Sequence, residues 1–500
     1  MDGGAANIRE REIAVEDARS VAAQKKELPL YVSRIKVHPK DVSGLYRRIK
    51  WAVLAFCLTV YYTAPFLRWD RGPTAPDQAI LIDMPGRKAY FFMIEIWPQE
   101  VYFLTGLLIL AAIGLFLVTS LFGRLWCGYA CPQTVWTDLF MWVERKIEGD
   151  RNARIKLDAA PYSAGKIAKR AAKHAAWLAI ALATGGAWVL YFGDAPTVLR
   201  EFFSGDASFT QYMFVGLFTG TTYVLAGWAR EQVCTYMCPW PRFQSAMLDD
   251  ESYVVTYEKW RGDPRGKLVK AAPGADPWLG RGDCVDCNSC VATCPTGIDI
   301  RDGQQLECIG CGLCIDACDA VMDKVGRPRG LIRFDTLANQ ACRAEGKPAH
   351  HKFIRPRTLI YAGVLTAVGA VMLAALMLRT TVELNVLRDR APLFVTLSDG
   401  QIRNAYTIHV LNKTHDARDF ALAVSGLAGA TLGVAGSEAA PAGTVTLAAK
   451  PDSVATYRLF VTVPAATVAG RASLPVRFDL APASGPGAAR YESVFLAPGK

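Results

Sequence analysis

The chain has 500 residues, room for about three domains, and 51% of them are hydrophobic, with a mean hydropathy of +0.16. The apolar residues are gathered in blocks, which indicates a membrane protein. A net charge of +10 could suit nucleic acid, but no basic module interleaved with aromatics is present, so nucleic acid is excluded as a partner and the basic residues are read as flanking membrane spans.

Residues 1 to about 30 are charged and lack apolar periodicity, which predicts a mobile tail and no cleavable signal peptide. The tail as a whole, 1–50, leads into a first apolar block at 51–67 that contains Cys57, read as a small packing residue. Four further blocks follow at 101–122, about 175–192, 212–229 and 358–378. Each has about the length an α-helix needs to cross the hydrocarbon core, so five transmembrane helices are expected.

Orientation follows from Lys and Arg. Segments 1–50, 123–173 and 230–357 carry 11, 10 and 18 of them, whereas 68–99 and 193–210 carry four and one. The positive-inside rule then puts the first three segments in the cytoplasm and leaves 379–500 outside. Thirteen of the fourteen cysteines fall in the segments assigned to the reducing side, as thiols and reduced clusters require.

After the second block comes Cys127-Gly-Tyr129-Ala-Cys131-Pro132, and after the fourth Cys234-Thr-Tyr236-Met237-Cys238-Pro239. The i, i+4 spacing predicts that each cysteine pair shares one face of a helical turn. Two matched copies suggest that two helical hairpins bring four thiols together at the membrane edge. Such thiols could hold a soft metal such as Cu(I), hold another cluster, or cycle as dithiols. Trp126, Tyr129, Trp136, Trp142 and Trp240 nearby read as interfacial anchors.

Residues 230–357 are expected to form a ferredoxin-like domain. Cys284, Cys287, Cys290 and Cys294 form one C-x2-C-x2-C-x3-C run, and Cys308, Cys311, Cys314 and Cys318 form another. Three thiolates of such a run converge on one 4Fe-4S cluster while the fourth reaches the neighbouring one. On that crossed pattern Cys284, Cys287, Cys290 and Cys318 hold one cluster, and Cys308, Cys311, Cys314 and Cys294 the other. Structural zinc usually takes paired knuckles well apart in sequence, and a triple run leaves it a surplus ligand. Two departures from bacterial ferredoxins stand out: Asp319 follows Cys318 where proline is usual, and the gap from Cys294 to Cys308 is short. Cys342 lies outside both runs and reads as structural. His174, at the edge of the third span, is weak evidence for a haem, and His350 and His351 sit in a basic run before the last span.

From 379 on, short alternating segments around Phe394, Tyr406, Tyr457 and Val476 are separated by turn residues. This predicts an all-β, Ig-like sandwich without a disulfide. His409 and His415 within it read as ordinary surface or core histidines.

Taken together, the paired C-x-Y-x-C-P motifs, the double cysteine run ahead of the last span and the β-rich tail resemble the FixG/RdxA/CcoG family of cytochrome c oxidase accessory proteins, over about residues 34–498. The resemblance implies a bacterial inner-membrane protein that serves assembly of a cbb3-type oxidase by reducing Cu(II) to Cu(I). It implies two 4Fe-4S clusters, with copper as a second metal, on the cysteines named above: the eight of the double run, and Cys127, Cys131, Cys234 and Cys238 at the membrane edge. It also implies as partners oxidase subunits or copper-delivery proteins, a cytoplasmic electron donor, membrane lipid and a second copy of the chain. Alternatives are a quinol-linked electron-transfer subunit and a non-enzymatic assembly scaffold.

Overall fold

A computed structural model describes residues 36–73, 75–267, 278–437, 440–468, 470–483 and 487–499. The tail predicted at 1 to about 30 lies outside the described residues.

Helix α1 (Leu45–Thr63) opens the bundle, and the Asp316 carboxylate caps it by accepting from the Tyr46 and Arg47 backbone N–H groups at 3.2 and 2.8 Å. A three-stranded antiparallel sheet follows, β1 (Ile80–Asp83), β2 (Lys88–Phe91) and β3 (Ile94–Ile96). Helix α2 (Tyr102–Phe122) runs back and ends at Gly123, whose φ of 60° turns the chain into α3 (Leu125–Tyr129) and α4 (Pro132–Glu148). Then come α5 (Arg151–Ala159), α6 (Ala164–Val189), α7 (Ala195–Ser204) and α8 (Phe209–Thr222).

Among the described residues four helical stretches are long and apolar enough to cross a membrane: Leu45–Phe66, Pro98–Phe122, Ala164–Phe192 and Pro356–Met377. The last is α12 (Pro356–Met377), which packs on α2 with Gly106 set against Met372. Its outward Leu359, Ile360, Val371 and Leu373 are more than half exposed, an apolar surface that water would penalise and lipid would not. The expected span 212–229 differs from these four. It is α-helical only to Thr222 and then widens to a π-helix over Tyr223–Ala229. There the Gln133 side chain donates to the Leu225 and Arg230 carbonyls at 2.9 and 3.2 Å, an insertion of the kind that interrupts a helical ladder.

A second π-turn (Val233–Met237) and α9 (Trp240–Met247) lead into an insert closed by the antiparallel pair β4 (Val254–Tyr257) and β5 (Ile332–Asp335). Between those strands lie α10 (Ser289–Thr293) and α11 (Leu313–Lys324), whose core joins Ile315, Met322 and Ile332 to Cys284, Cys290 and Cys318.

Beyond α12 the chain forms the expected sandwich. One sheet has the order β10 (Thr431–Val434), β12 (Ser453–Val463), β8 (Ile402–Asn412), β6 (Val382–Arg388), with β7 (Val395–Thr396) also on β8. The other has the order β11 (Thr444–Ala449), β9 (Arg418–Ser425), β13 (Ser473–Pro482), β14 (Ala489–Leu496). Alternate residues such as Tyr406, Ile408, Val410 and Phe478, Leu480 meet in a dry core, the period-two pattern the sequence carries. The sandwich rests on the β1–β3 end of the bundle through Lys88–Asp452, Lys413–Glu100 and His415–Glu95 pairs at 2.6, 2.8 and 3.3 Å.

Candidate metal centres

The two cysteine runs fold into loops of one backbone design. Asp286 and Asn288 flank Cys287 with φ of 50° and 54°, and Gly310 and Gly312 flank Cys311 with φ of 67° and 72°. Left-handed residues on both sides of the middle cysteine curl the loop inward, and Asp, Asn and Gly are the residues that adopt that conformation most readily. The difference in residue type follows from what lies outside each loop. Cys287 and Asn288 are exposed, whereas Gly310, Cys311 and Gly312 are buried. A side chain at Gly310 would meet the Arg124 backbone at 3.4 Å, and one at Gly312 would meet the Tyr46 ring at 2.6 Å.

Each loop closes a small cavity, and the thiols are shared in the crossed manner. One cavity is lined by Cys284, Cys287, Cys290 and Cys318, and the other by Cys294, Cys308, Cys311 and Cys314, with Cys290 lining both. The fourth thiol of each set comes from the other run, Cys318 from within α11 and Cys294 from just past the end of α10. Burial pushes the Cys290 thiol up to about 11 and those of Cys308 and Cys318 up to about 12, and raises Cys311 and Cys314 too. Such thiols keep their protons until a metal centre displaces them. Four sulfurs around each cavity in protein of low polarity fit a 4Fe-4S cluster. Cations stand close by: Arg301 lies 4.0 Å from the Cys284 sulfur, held by Asp286 and Asp299, and Arg124 donates to the Cys308 carbonyl at 3.0 Å.

The membrane-edge motifs meet beside the second cavity. Cys127 and Cys234 pack against Ile309, Cys311 and Leu313. The Gly128 backbone lies so close that a side chain there would come 2.8 Å from the Ile309 oxygen and 3.1 Å from the Cys311 nitrogen. Burial first, and then the charge of Cys131, pushes Cys127 up to about 11; burial together with Cys131, Cys127 and Cys238 pushes Cys234 up to about 12. All four thiols are thus electrostatic neighbours. They are not closed around one ion: among the described residues no set of three or more His, Cys, Asp or Glu is drawn together in that way.

Three sequence expectations change here. The cysteine pairs do not share a helical turn, because Cys131 and Cys238 are extended with ψ of 129° and 123°. The proline that follows each one disfavours the helical conformation before it, and Cys294 before Pro295 is the same, with ψ of 124°. The two copies also differ, since the first is α-helical with Tyr129 buried and the second is π-helical with Tyr236 and Met237 exposed. Tyr129 and Trp136 are not interfacial anchors: Tyr129 donates to the Cys311 carbonyl and Trp136 to the Thr184 hydroxyl inside the bundle.

Of the remaining candidates, His174 bonds the Tyr223 hydroxyl at 2.8 Å, His409 bonds Thr456 at 2.9 Å, and Cys342 lies 3.8 Å from His350, which pairs with Glu251 at 3.1 Å. No local sequence pattern marks the buried charges beneath the motifs. Glu144 on α4 is fully enclosed by Arg230, Arg154 and Lys173 at 2.7, 3.1 and 3.6 Å, and Asp138 by Arg47 and Lys50 at 2.8 and 3.9 Å.

Comparison with known proteins matches residues 104–149 to a 4Fe-4S binding domain, 229–337 to a 4Fe-4S dicluster domain and 372–498 to the IG-like fold at the C-terminus of FixG. The first match contains Cys127 and Cys131, and the second contains Cys234, Cys238 and the double run. The chain is 53% identical over 474 residues to nitrogen fixation protein FixG of Rhizobium meliloti, covering 90% of each. It is 50% identical to protein RdxA of Cereibacter sphaeroides over 92% of this chain and 96% of that one, and 51% identical to RdxB of the same organism over 89% and 92%. The crystal structure of a FixG-related protein from Vibrio parahaemolyticus aligns at 23% identity with a TM-score of 0.20, covering 24% of this chain and 97% of that one.

Proposed function

Because the chain belongs to the FixG/RdxA/CcoG family, we propose that it is a membrane-bound iron–sulfur protein that reduces Cu(II) to Cu(I) for assembly of a cbb3-type oxidase. Cys284, Cys287, Cys290 and Cys318 hold one cluster, and Cys308, Cys311, Cys314 and Cys294 the other. Each cluster supplies one-electron storage when bound.

The observation that carries this reading is the packing of Cys127 and Cys234 on the Ile309–Leu313 wall of the second cavity. Ile309 and Cys311 belong both to the cluster those two cysteines pack against and to the lining of that cavity. A cytoplasmic donor gives one electron, the protein passes it on, and Cu(II) arriving among the thiols of Cys127, Cys131, Cys234 and Cys238 takes it up. Soft thiolates favour the Cu(I) so formed. Cys238 and Met237 are exposed and offer copper its way in and out. Five spans, with Phe209–Ala229 as the fourth, put the N-terminus and the insert in the cytoplasm and the sandwich in the periplasm, in keeping with the Lys and Arg distribution.

The test is Cu(I) formation, followed with a Cu(I)-specific chelator, by anaerobically purified protein whose clusters have been reduced chemically. The Cys131→Ser, Cys238→Ser pair is expected to lose it while iron content and visible absorbance stay at the wild-type level. A double variant that reduces copper at the wild-type rate would remove these thiols from the pathway.

A quinol-linked reading has one observation in its favour. A cavity of about 360 Å³ within the bundle is lined by Tyr61, Gln133, Trp136 and Thr184 and reaches Pro132, next to Cys131, and its few polar groups in an apolar wall suit a quinol headgroup. Quinol-dependent reduction of the clusters in copper-free membranes would favour it.

A further inference from the structure

The first turns of α1 and the last turns of α4 enclose a cavity of about 730 Å³ that the metal centres do not use. Arg47, Arg48, Arg145 and Lys146 line it, with the indoles of Trp51 and Trp142, against the carboxylates of Asp41 and Asp150. Four cations face two anions, and the anions are partly engaged: Asp150 accepts from the Asp41 backbone at 2.9 Å, and Asp41 stands 3.6 Å from Arg145.

Arg47 is 5% exposed. Its Nη1 donates to both oxygens of Asp138 at 2.9 and 2.8 Å, while its Nε and Nη2, also buried, have no partner among the described residues. Its guanidinium lies 4.4 Å over the Trp51 ring. Arg145 is held close enough to Arg47 that burial and the neighbouring charge both disfavour its protonated form. Lys146 touches only the face of Trp142, 6.0 Å from the ring centre, and Arg48 only the Gly44 carbonyl, among the described contacts. A guanidinium with two unused donors, crowded against a second one, is stabilised by a multivalent oxyanion, and the planar fork of arginine fits phosphate oxygens. The α1 N-terminus is not the attraction, since Asp316 already caps it. Arg47, Arg48 and Trp51 lie in the first two turns of the candidate span Leu45–Phe66, and the ends of spans are where indoles prefer to sit.

We infer that this cavity binds a phosphate-bearing anion, gripped by Arg48, Arg145 and Lys146 over the Arg47 floor with the Trp51 and Trp142 indoles at its side. The phosphate can come from an anionic phospholipid of the surrounding bilayer or from solution.

Native mass spectrometry on delipidated full-length protein separates the two, with phosphatidylglycerol as the anionic probe, phosphatidylcholine as the zwitterionic control and inorganic phosphate as the competitor. Wild type is expected to retain phosphatidylglycerol over phosphatidylcholine. The Arg48→Gln, Arg145→Gln pair is expected to weaken retention about thirtyfold, and the charge-keeping Arg48→Lys, Arg145→Lys pair to restore most of it. Retention that resists excess inorganic phosphate identifies the lipid as the source. Displacement by inorganic phosphate with the same dependence on the variants identifies a soluble phosphate. Equal retention of the two lipids, or retention that the Gln pair leaves unchanged, overturns the inference.

Discussion

The Tyr129 hydroxyl donates a 3.0 Å hydrogen bond to the carbonyl of Cys311. One residue belongs to the first membrane-edge motif and the other is the middle cysteine of the second loop, so the bond pins the insert to the bundle where the two cysteine systems meet. With Gly128 against Cys311 and Arg124 on the Cys308 carbonyl, it fixes the separation across which an electron would pass. Tyr129→Phe keeps the ring but leaves a buried carbonyl unpaired, at a cost of about 1 kcal/mol. A lower thermal midpoint with unchanged iron content is expected. An unshifted midpoint would mean that docking does not depend on this bond.

The crossed sharing of thiols predicts which substitutions behave alike. Cys318 follows the second loop in sequence but lines the first cavity with Cys284, Cys287 and Cys290. Cys318→Ala should therefore reproduce the EPR changes of Cys287→Ala, and Cys294→Ala those of Cys311→Ala. If Cys318→Ala instead matched Cys311→Ala, each run would serve its own cluster and the helices would have to be placed differently.

This crossing was legible in the sequence because cysteine spacing is a local property that the backbone geometry of a short loop enforces. The alternating residues of the sandwich were legible for a similar reason, since Tyr406, Ile408 and Val410 repeat the period of a strand. What stayed hidden depends on contacts distant in sequence. Nothing around Tyr129 says that it faces Cys311, 182 positions later, and the strands at 80–96 lie in a stretch read only as a loop. The π-widening at Tyr223 comes from Gln133 on another helix, a contact that no pattern within 212–229 encodes. The prolines after Cys131 and Cys238 are local signals too, and by disfavouring a helical residue before them they argue against a shared turn.

Glu144 makes stability depend on pH. Burial alone would raise its pKa, but Arg230, Arg154 and Lys173 outweigh that and hold it at about 2, below the unfolded value of about 4.3. A depressed carboxyl stabilises the fold above its unfolded pKa, and that contribution is lost as pH falls from about 4 towards 2. Glu144→Gln leaves the buried Arg230 and Arg154 without their anion, while Lys173 keeps Glu148 at 3.0 Å, a change that costs about 3–5 kcal/mol. The variant is expected to melt well below wild type at pH 7, with the gap narrowing in acid. A gap that stayed constant from neutral to acid pH would show that the carboxylate charge is not what holds this cluster.

Gly312 and Asn288 occupy the same place in the two loops and share a left-handed backbone, at φ of 72° and 54°, yet they should not be interchangeable. Asn288 is exposed and its side-chain oxygen accepts from Arg301, so Asn288→Gly loses one surface contact and keeps the conformation. Gly312→Asn keeps the conformation as well, since Asn adopts it readily. Its Cβ, however, would stand 2.6 Å from the Tyr46 ring and 3.2 Å from the Tyr46 Cβ, atoms near the root of a side chain at the start of α1. Relief requires the helix or the loop to move, at about 1–3 kcal/mol for an overpacked site. Gly312→Asn is therefore expected to lower stability and slow electron transfer to the membrane edge, while Asn288→Gly leaves both near wild type. Each is read from thermal melts and from single-turnover oxidation of prereduced clusters. Equal effects of the two substitutions would mean that the second loop does not pack on α1.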